Sequence, residues 1–293
     1  MSEPASRATG ATHLRMEQRR LRAIGMRYMF ASPGEDAIQR VIVAVHGVSR
    51  EWREFSRHFV SRCIAANTAL VIPRFSRSGY RGYQRLEVGR KNLAADGALL
   101  KVLDDVAEQF GTDGMEELRL FGYSGGAQFA HRFSLLHPNL VKRQALAASG
   151  FYTMPDAAEP FPYGLDEGAC LGVLDAEGLT IPTKVFVGDL DVQRDPQLRT
   201  RRALDRQQGR NRVERAQRFV VAVRALAAAR GLMPECSLEV LHGRGHSFVE
   251  SAGRGDLARK VVDFLVPEAA DQLQLLPPPS MNTVESQLDL TKR

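Results

Sequence analysis

The chain has 293 residues, 44% of them hydrophobic and 25% charged, with a formal net charge of +6 at pH 7. That length holds one large domain or two small ones, and the balance is the ordinary one of a soluble globular protein. No apolar run reaches the roughly 18–20 residues needed to cross a bilayer, and Cys63, Cys170 and Cys236 have neither zinc-ligand nor redox spacing.

Residues 1–22 read as a polar, Arg-rich N-terminal arm. Its arginines are not followed by the apolar stretch of a secretory signal. With unpaired cysteines expected as buried thiols, this gives a cytoplasmic expectation. RVIVAVHG (40–47) is a continuous apolar run of the kind a buried parallel strand needs. REWREFSRHFVSRCIAAN (50–67) has helical spacing at Trp52, Phe55, Phe59, Cys63 and Ala66. TALVIPRF (68–75) predicts a strand, 93–110 an amphipathic helix, LRLFG (118–122) a strand, and 127–138 a helix with a proline near its end. RQALAASG (143–150) and TKVFVGD (183–189) predict two more strands. A long helix over 212–231 ends in glycine, and CSLEVLHG (236–243) and 256–265 supply the last strand and helix. From residue 268 to 293 three consecutive prolines and no sustained period predict a flexible tail. The domain is therefore expected over 23–267.

Strands alternating with helices imply an α/β fold: a mainly parallel central sheet, helices on both faces, and chemistry at the carboxyl ends of the strands. Gly122-Tyr123-Ser124-Gly125-Gly126 stands between a strand and a helix. A sharp turn there would strain Ser124, hold its Oγ in the open, and crowd the flanking positions so that only small residues fit. The Gly125 N–H, at the start of the helix, would face a developing oxyanion.

A serine hydroxyl needs a base. His246, in the glycine-punctuated loop HGRGHSF, is the favoured candidate and His242 its rival. His46 ends a strand and reads as structural. The base needs an acid to fix its tautomer. VGDLD offers Asp191, which lies farther into its loop, with Asp189 as the alternative acid. No clustered His, Asp or Glu spacing argues for a metal, and no cofactor loop is present.

On GYSGG, HG after VIVAV, GDLD after KVFV, and GRGHSF, the sequence resembles the α/β-hydrolase superfamily over about residues 25–267. Within it the look is of bacterial esterase and polyester-depolymerase-like proteins. The resemblance implies Ser124 as nucleophile, Asp191 as acid and His246 as base, with the Val48 N–H joining that of Gly125 in the oxyanion hole. The segment 151–179 is short, so no large separate lid is expected. Its Phe151, Tyr152, Phe161 and Tyr163 are candidates to line an acyl pocket.

The expected function is a serine hydrolase cleaving a carboxylic ester or thioester through an acyl-enzyme. The alternatives are a peptidase on the same scaffold and a catalytically silent binding protein. The expected partner is a small acyl substrate, with no membrane. An anionic one would be met by Arg77, Arg81 and Arg85 or by arginines after Asp191. Between Arg194 and Arg218 nine arginines face three acids. No stacking motif accompanies them, so a solvated helix face is expected there and not a nucleic-acid site. The chain departs from a secreted depolymerase in lacking an export signal and paired cysteines.

Overall fold

The computed structural model describes residues 14–34, 40–111, 117–166, 178, 181–233 and 235–267. Strand β3 (Val41–Val45) shows why its run is apolar throughout. Val41, Val43 and Val45 pack into one core, and Ile42 and Ala44 into another. A strand covered on both faces cannot alternate apolar with polar residues.

The strands are β1 (Leu14–Leu21), β2 (Met26–Pro33), β3, β4 (Ala69–Arg74), β5 (Leu118–Tyr123), β6 (Val141–Ala147), β7 (Thr183–Gly188) and β8 (Cys236–Leu241). They form one sheet in the order β1-β2-β4-β3-β5-β6-β7-β8. The β1–β2 and β2–β4 pairs are antiparallel and every other pair is parallel.

Helices α2 (Ala95–Phe110), α3 (Gly125–Leu136) and α5 (Arg212–Ala229) bury their apolar sides in the first core. Helices α1 (Trp52–Ala65), α6 (Phe248–Ala252) and α7 (Leu257–Leu265) bury theirs in the second. Helix α7 shows the pattern clearly: Leu257, Ala258, Val261, Val262 and Leu265 are its buried residues, a stripe of 3.6-residue period. Helix α5 begins at Asn211, whose side chain accepts from the Glu214 N–H at 2.9 Å.

Every strand and helix expected between residues 40 and 267 is present, with shifted ends. Four elements were not expected. Residues 14–21, expected within a polar arm, form edge strand β1, and β2 was not anticipated. The alternation of β1 is masked by charge, since Leu14 and Met16 share a face with Gln18 and Arg20. Helices α4 (Arg202–Gln208) and α6 are too short to carry a periodic signal. The tail expected over 268–293 lies outside the described residues.

The edge hairpin is tied down by one acid. Arg19 grips Asp105 of α2 through two N–H donors, at 2.8 and 3.2 Å, and the Tyr28 hydroxyl donates to the same carboxylate. Burial, then the Asp105 carboxylate, pushes the Tyr28 phenol up.

Candidate active site

The turn between β5 and α3 is built around two close backbone approaches. A Cβ at Gly122 would stand 2.2 Å from the Gly126 carbonyl oxygen, and one at Gly126 would stand 2.0 Å from that of Val45. No other residue fits either position. Between them Ser124 is held at φ 54°, ψ −112°, a region L-residues avoid. Its N–H donates to Ala147 at 2.8 Å, so β6 fixes the strained residue from the side.

Ser124 Oγ lies 3.1 Å from His246 Nε2, and His246 Nδ1 lies 2.7 Å from Asp191 Oδ2. Asp191 follows β7 and is 1% exposed. The imidazole hangs from the β8–α6 loop and stacks on Tyr123, with ring centroids 5.6 Å apart. Phe248 meets Tyr123 edge-on. Three segments far apart in sequence thus meet at the carboxyl ends of β5, β7 and β8, as expected for a parallel sheet.

The other candidates lie apart. His242 and Asp189 pair with each other, Nδ1 to Oδ2 at 3.2 Å, on the surface. The Gly243 N–H also donates to Asp189 at 2.7 Å. The slight burial of Asp189 is outweighed by these donors, and its carboxyl is held below its ordinary range.

His46 is fully buried. Its Nδ1 is 2.8 Å from the Gly47 carbonyl, and its Nε2 accepts the Phe75 N–H at 3.1 Å. That pairing calls for the neutral Nδ1–H tautomer, and burial lowers its pKa to about 4. His46 therefore shapes the loop that carries Val48. Two unforeseen side chains do the same. The Tyr83 hydroxyl donates to the His46 carbonyl at 2.7 Å, and Arg50 donates to the carbonyls of Val48 at 2.6 Å and Phe75 at 2.8 Å. Arg50 itself has φ 63°. This pinned loop brings the Val48 nitrogen within 3.5 Å of where a Gly125 side chain would begin. The Gly125 N–H belongs to the first turn of α3, where backbone donors have no helical acceptor. The two residues expected to hold an oxyanion, Val48 and Gly125, are thus close neighbours, and Val48 lines the cleft together with Ser124.

Beyond the triad geometry lies Arg212, the first residue of α5. It is 1% exposed and donates from Nη1 to Asp191 Oδ1 at 3.0 Å and to Asp195 Oδ2 at 2.5 Å. The Asp195 carboxyl feels some burial, but the guanidinium outweighs it and holds its pKa down. Sequence reading counted Arg212 only as one charge in a basic segment. Two of that segment's arginines are internal: Arg215 is buried and donates to the carbonyls of Gly150, Gly209 and Arg199 and to Asp205. The expected solvated face holds only for others, such as Arg201, Arg202 and Arg218.

Ser124 opens into a cleft of ≈ 230 Å³ lined on its apolar side by Val48, Phe55, Tyr123, Phe248 and Val249, and on its polar side by residues such as Glu51 and Gln197. Phe151, Tyr152, Phe161 and Tyr163 are not among its lining residues. Tyr152 stacks on Phe219 in the core, and Phe151 and Phe161 flank the buried Arg132 guanidinium instead. Arg85 is paired with Glu87, and Arg77 and Arg81 do not line this cleft. Among the described residues no group of three or more His, Cys, Asp or Glu side chains is placed to hold a metal ion.

No protein-family model matches the sequence, and no curated protein does. Solved structures do match. The poly(aspartic acid) hydrolase-1 of Sphingomonas sp. KT-1 superposes with a TM-score of 0.70 at 22% identity, over 84% of this chain and 98% of that one. The poly(3-hydroxybutyrate) depolymerase LpqC of Bordetella parapertussis gives 0.70 at 22% identity, over 94% of each chain. The chain has the α/β-hydrolase fold. An S-formylglutathione hydrolase of Agrobacterium tumefaciens is more distant, with a TM-score of 0.56 at 12% identity over 86% of this chain and 95% of that one. In the α/β-hydrolase fold as this chain builds it, both antiparallel pairs lie at the β1–β2 edge, away from Ser124, and no described helix is long and apolar enough to cross a membrane.

Proposed function

We propose that the protein is a serine hydrolase that cleaves a carboxylic ester or thioester through an acyl-enzyme. The observation that carries this reading is the chain of contacts from Ser124 Oγ to His246 to Asp191, at 3.1 and 2.7 Å, on the floor of an open cleft. The structural neighbour named as a poly(3-hydroxybutyrate) depolymerase, whose polymer is an ester, supports it further, whereas the neighbour named as a poly(aspartic acid) hydrolase, whose polymer is joined by amide bonds, keeps the peptidase alternative in the test.

In the first step Ser124 Oγ attacks the acyl carbon as His246 Nε2 takes its proton. Asp191 accepts the Nδ1–H bond and stabilises the imidazolium that forms. The carbonyl oxygen becomes an oxyanion facing the Val48 and Gly125 N–H groups. A donor of this kind is worth about 3–4 kcal/mol of transition-state stabilisation. Collapse expels the alkoxide or thiolate, which receives the proton from His246. In the second half, His246 removes a proton from water, the water oxygen attacks the acyl carbon, and Ser124 leaves with the proton returned.

The buried free thiols Cys63 and Cys236 fit a reducing compartment, and we place the protein in the cytoplasm. The test is a panel of p-nitrophenyl esters, acyl thioesters and aminoacyl p-nitroanilides, followed in the first turnover. The reading expects turnover of esters or thioesters with an initial burst stoichiometric with enzyme, absent in Ser124→Ala. Turnover confined to anilides would move the assignment to a peptidase. No turnover on any class would leave a binding protein.

A further inference from the structure

A second cleft, of ≈ 220 Å³, opens between the β1–β2 hairpin and the first turn of α1. Its lining includes Arg20, Arg27, Arg53, Arg74 and Trp52. Three of these arginines form a row across three strands: Arg20 stands opposite Arg27, and Arg27 opposite Arg74. Directly opposed residues of antiparallel strands share a face. Met29 and Ile72, two residues from Arg27 and Arg74, lie in the α1-side core, so the row faces α1. Arg53 completes the set from α1. The guanidiniums of Arg53 and Arg74 lie 5.3 and 5.9 Å from the Trp52 ring.

Among the described residues no carboxylate forms an ion pair with Arg20, Arg27, Arg53 or Arg74. Their neighbour Arg19 is held by Asp105, and the arginines of the 194–218 segment that face the interior all have acids. Like charges set directly opposite across strands destabilise a sheet. Covering Trp52 with arginine stems accounts for Arg53 and Arg74, which lie against the ring. It does not account for Arg20 and Arg27, which are exposed and place no guanidinium over the ring.

We propose that this cleft binds a ligand bearing two or more carboxylate or phosphate groups, with the four guanidiniums as its donors. Planar guanidiniums suit both anions through paired N–H bonds. The site does not depend on the hydrolase reading. It does adjoin that site: Glu51 lines the cleft of Ser124, and the next two residues line this one. Arg74 also precedes Phe75, whose N–H and carbonyl hold His46 and Arg50. The anionic groups could thus belong to the far end of a substrate or to a separate polyanion.

Trp52 is the only tryptophan in the chain, so its fluorescence reports this cleft alone. Ser124→Ala protein is titrated with tripolyphosphate and with a tetra-aspartate peptide, by fluorescence and by calorimetry. The expected result is saturable binding to at least one, weakening as salt rises, with Kd raised at least tenfold in an Arg20→Ala/Arg27→Ala double variant whose circular dichroism is native. No binding by either method, or the same Kd in the double variant, would overturn the proposal. KM for a neutral ester and for one bearing pendant carboxylates then separates the two sources. A rise in the double variant for the carboxylated ester alone assigns the cleft to substrate. Equal KM values, with saturable binding in the titration, assign it to a separate polyanion.

Discussion

Arg212 sits where a charge changes what its neighbours can do. In the proposed mechanism Asp191 orients the His246 imidazole, and Arg212 shares its guanidinium between Asp191 and Asp195. In that mechanism Arg212 would be a positioning residue, acting on His246 through Asp191. Removing one partner of a buried pair costs about 3–5 kcal/mol. Arg212→Met should therefore lower the unfolding midpoint. It should also lower kcat more than it changes KM, because Asp191 loses the donor that fixes its Oδ1. Arg212→Lys should restore part of kcat and part of the stability. A purely structural role would lower stability in both variants and leave kcat of the folded protein unchanged. The residues in line with Ser124 were legible because each stands in a loop just after a strand, marked by glycine. Arg212 was not, because nothing near it in sequence says that the start of α5 packs against the end of β7.

The β5–α3 turn stores strain that the whole element must hold. Ser124 at φ 54° costs about 1–3 kcal/mol, and β3, β6 and the two flanking glycines leave it no room to relax. Glycine accepts that conformation freely. Ser124→Gly should therefore unfold at higher denaturant than Ser124→Ala, by about 1 kcal/mol or more after allowing for the more flexible unfolded chain. Equal midpoints would mean the turn is unstrained. The elements most legible in sequence were those with one clear period: β3 by its unbroken apolar run, and α1 and α7 by their stripes. The β1–β2 hairpin was hidden because an edge strand carries charge on both faces, and its pairing rests on β4 and on Asp105 of α2, far along the chain. The loop after β3 was half legible. His-Gly is visible in sequence, but the Tyr83 and Arg50 contacts that fix it are tertiary.

Among the described residues, two histidines are buried neutral. Burial lowers His46 to about 4 and His131 to about 3, from an ordinary 6.5. The unfolded chain therefore takes up protons on both groups before the folded chain does. Their contribution is complete above pH 6.5 and is lost as pH falls towards the folded values, at about 1.4 kcal/mol per group per pH unit. Between pH 6.5 and 5 the pair should remove about 3 kcal/mol from the unfolding free energy. The acids held below their ordinary range, Asp105 and Glu239 among them, add to the loss only under about pH 4.5. Urea unfolding at closely spaced pH values measures this slope, and His131→Gln should roughly halve it. A stability curve flat down to pH 5 would contradict the neutral burial of both rings.

If Ser124 is the nucleophile and His246 and Asp191 activate it, its hydroxyl should react with a phosphonylating probe. A fluorophosphonate followed by intact-mass and peptide-mass analysis tests it most directly. One adduct per chain, on Ser124, is expected in the wild type, absent in Ser124→Ala and slowed at least a hundredfold in His246→Ala. An unlabelled wild type, or an adduct on any other residue, would contradict it.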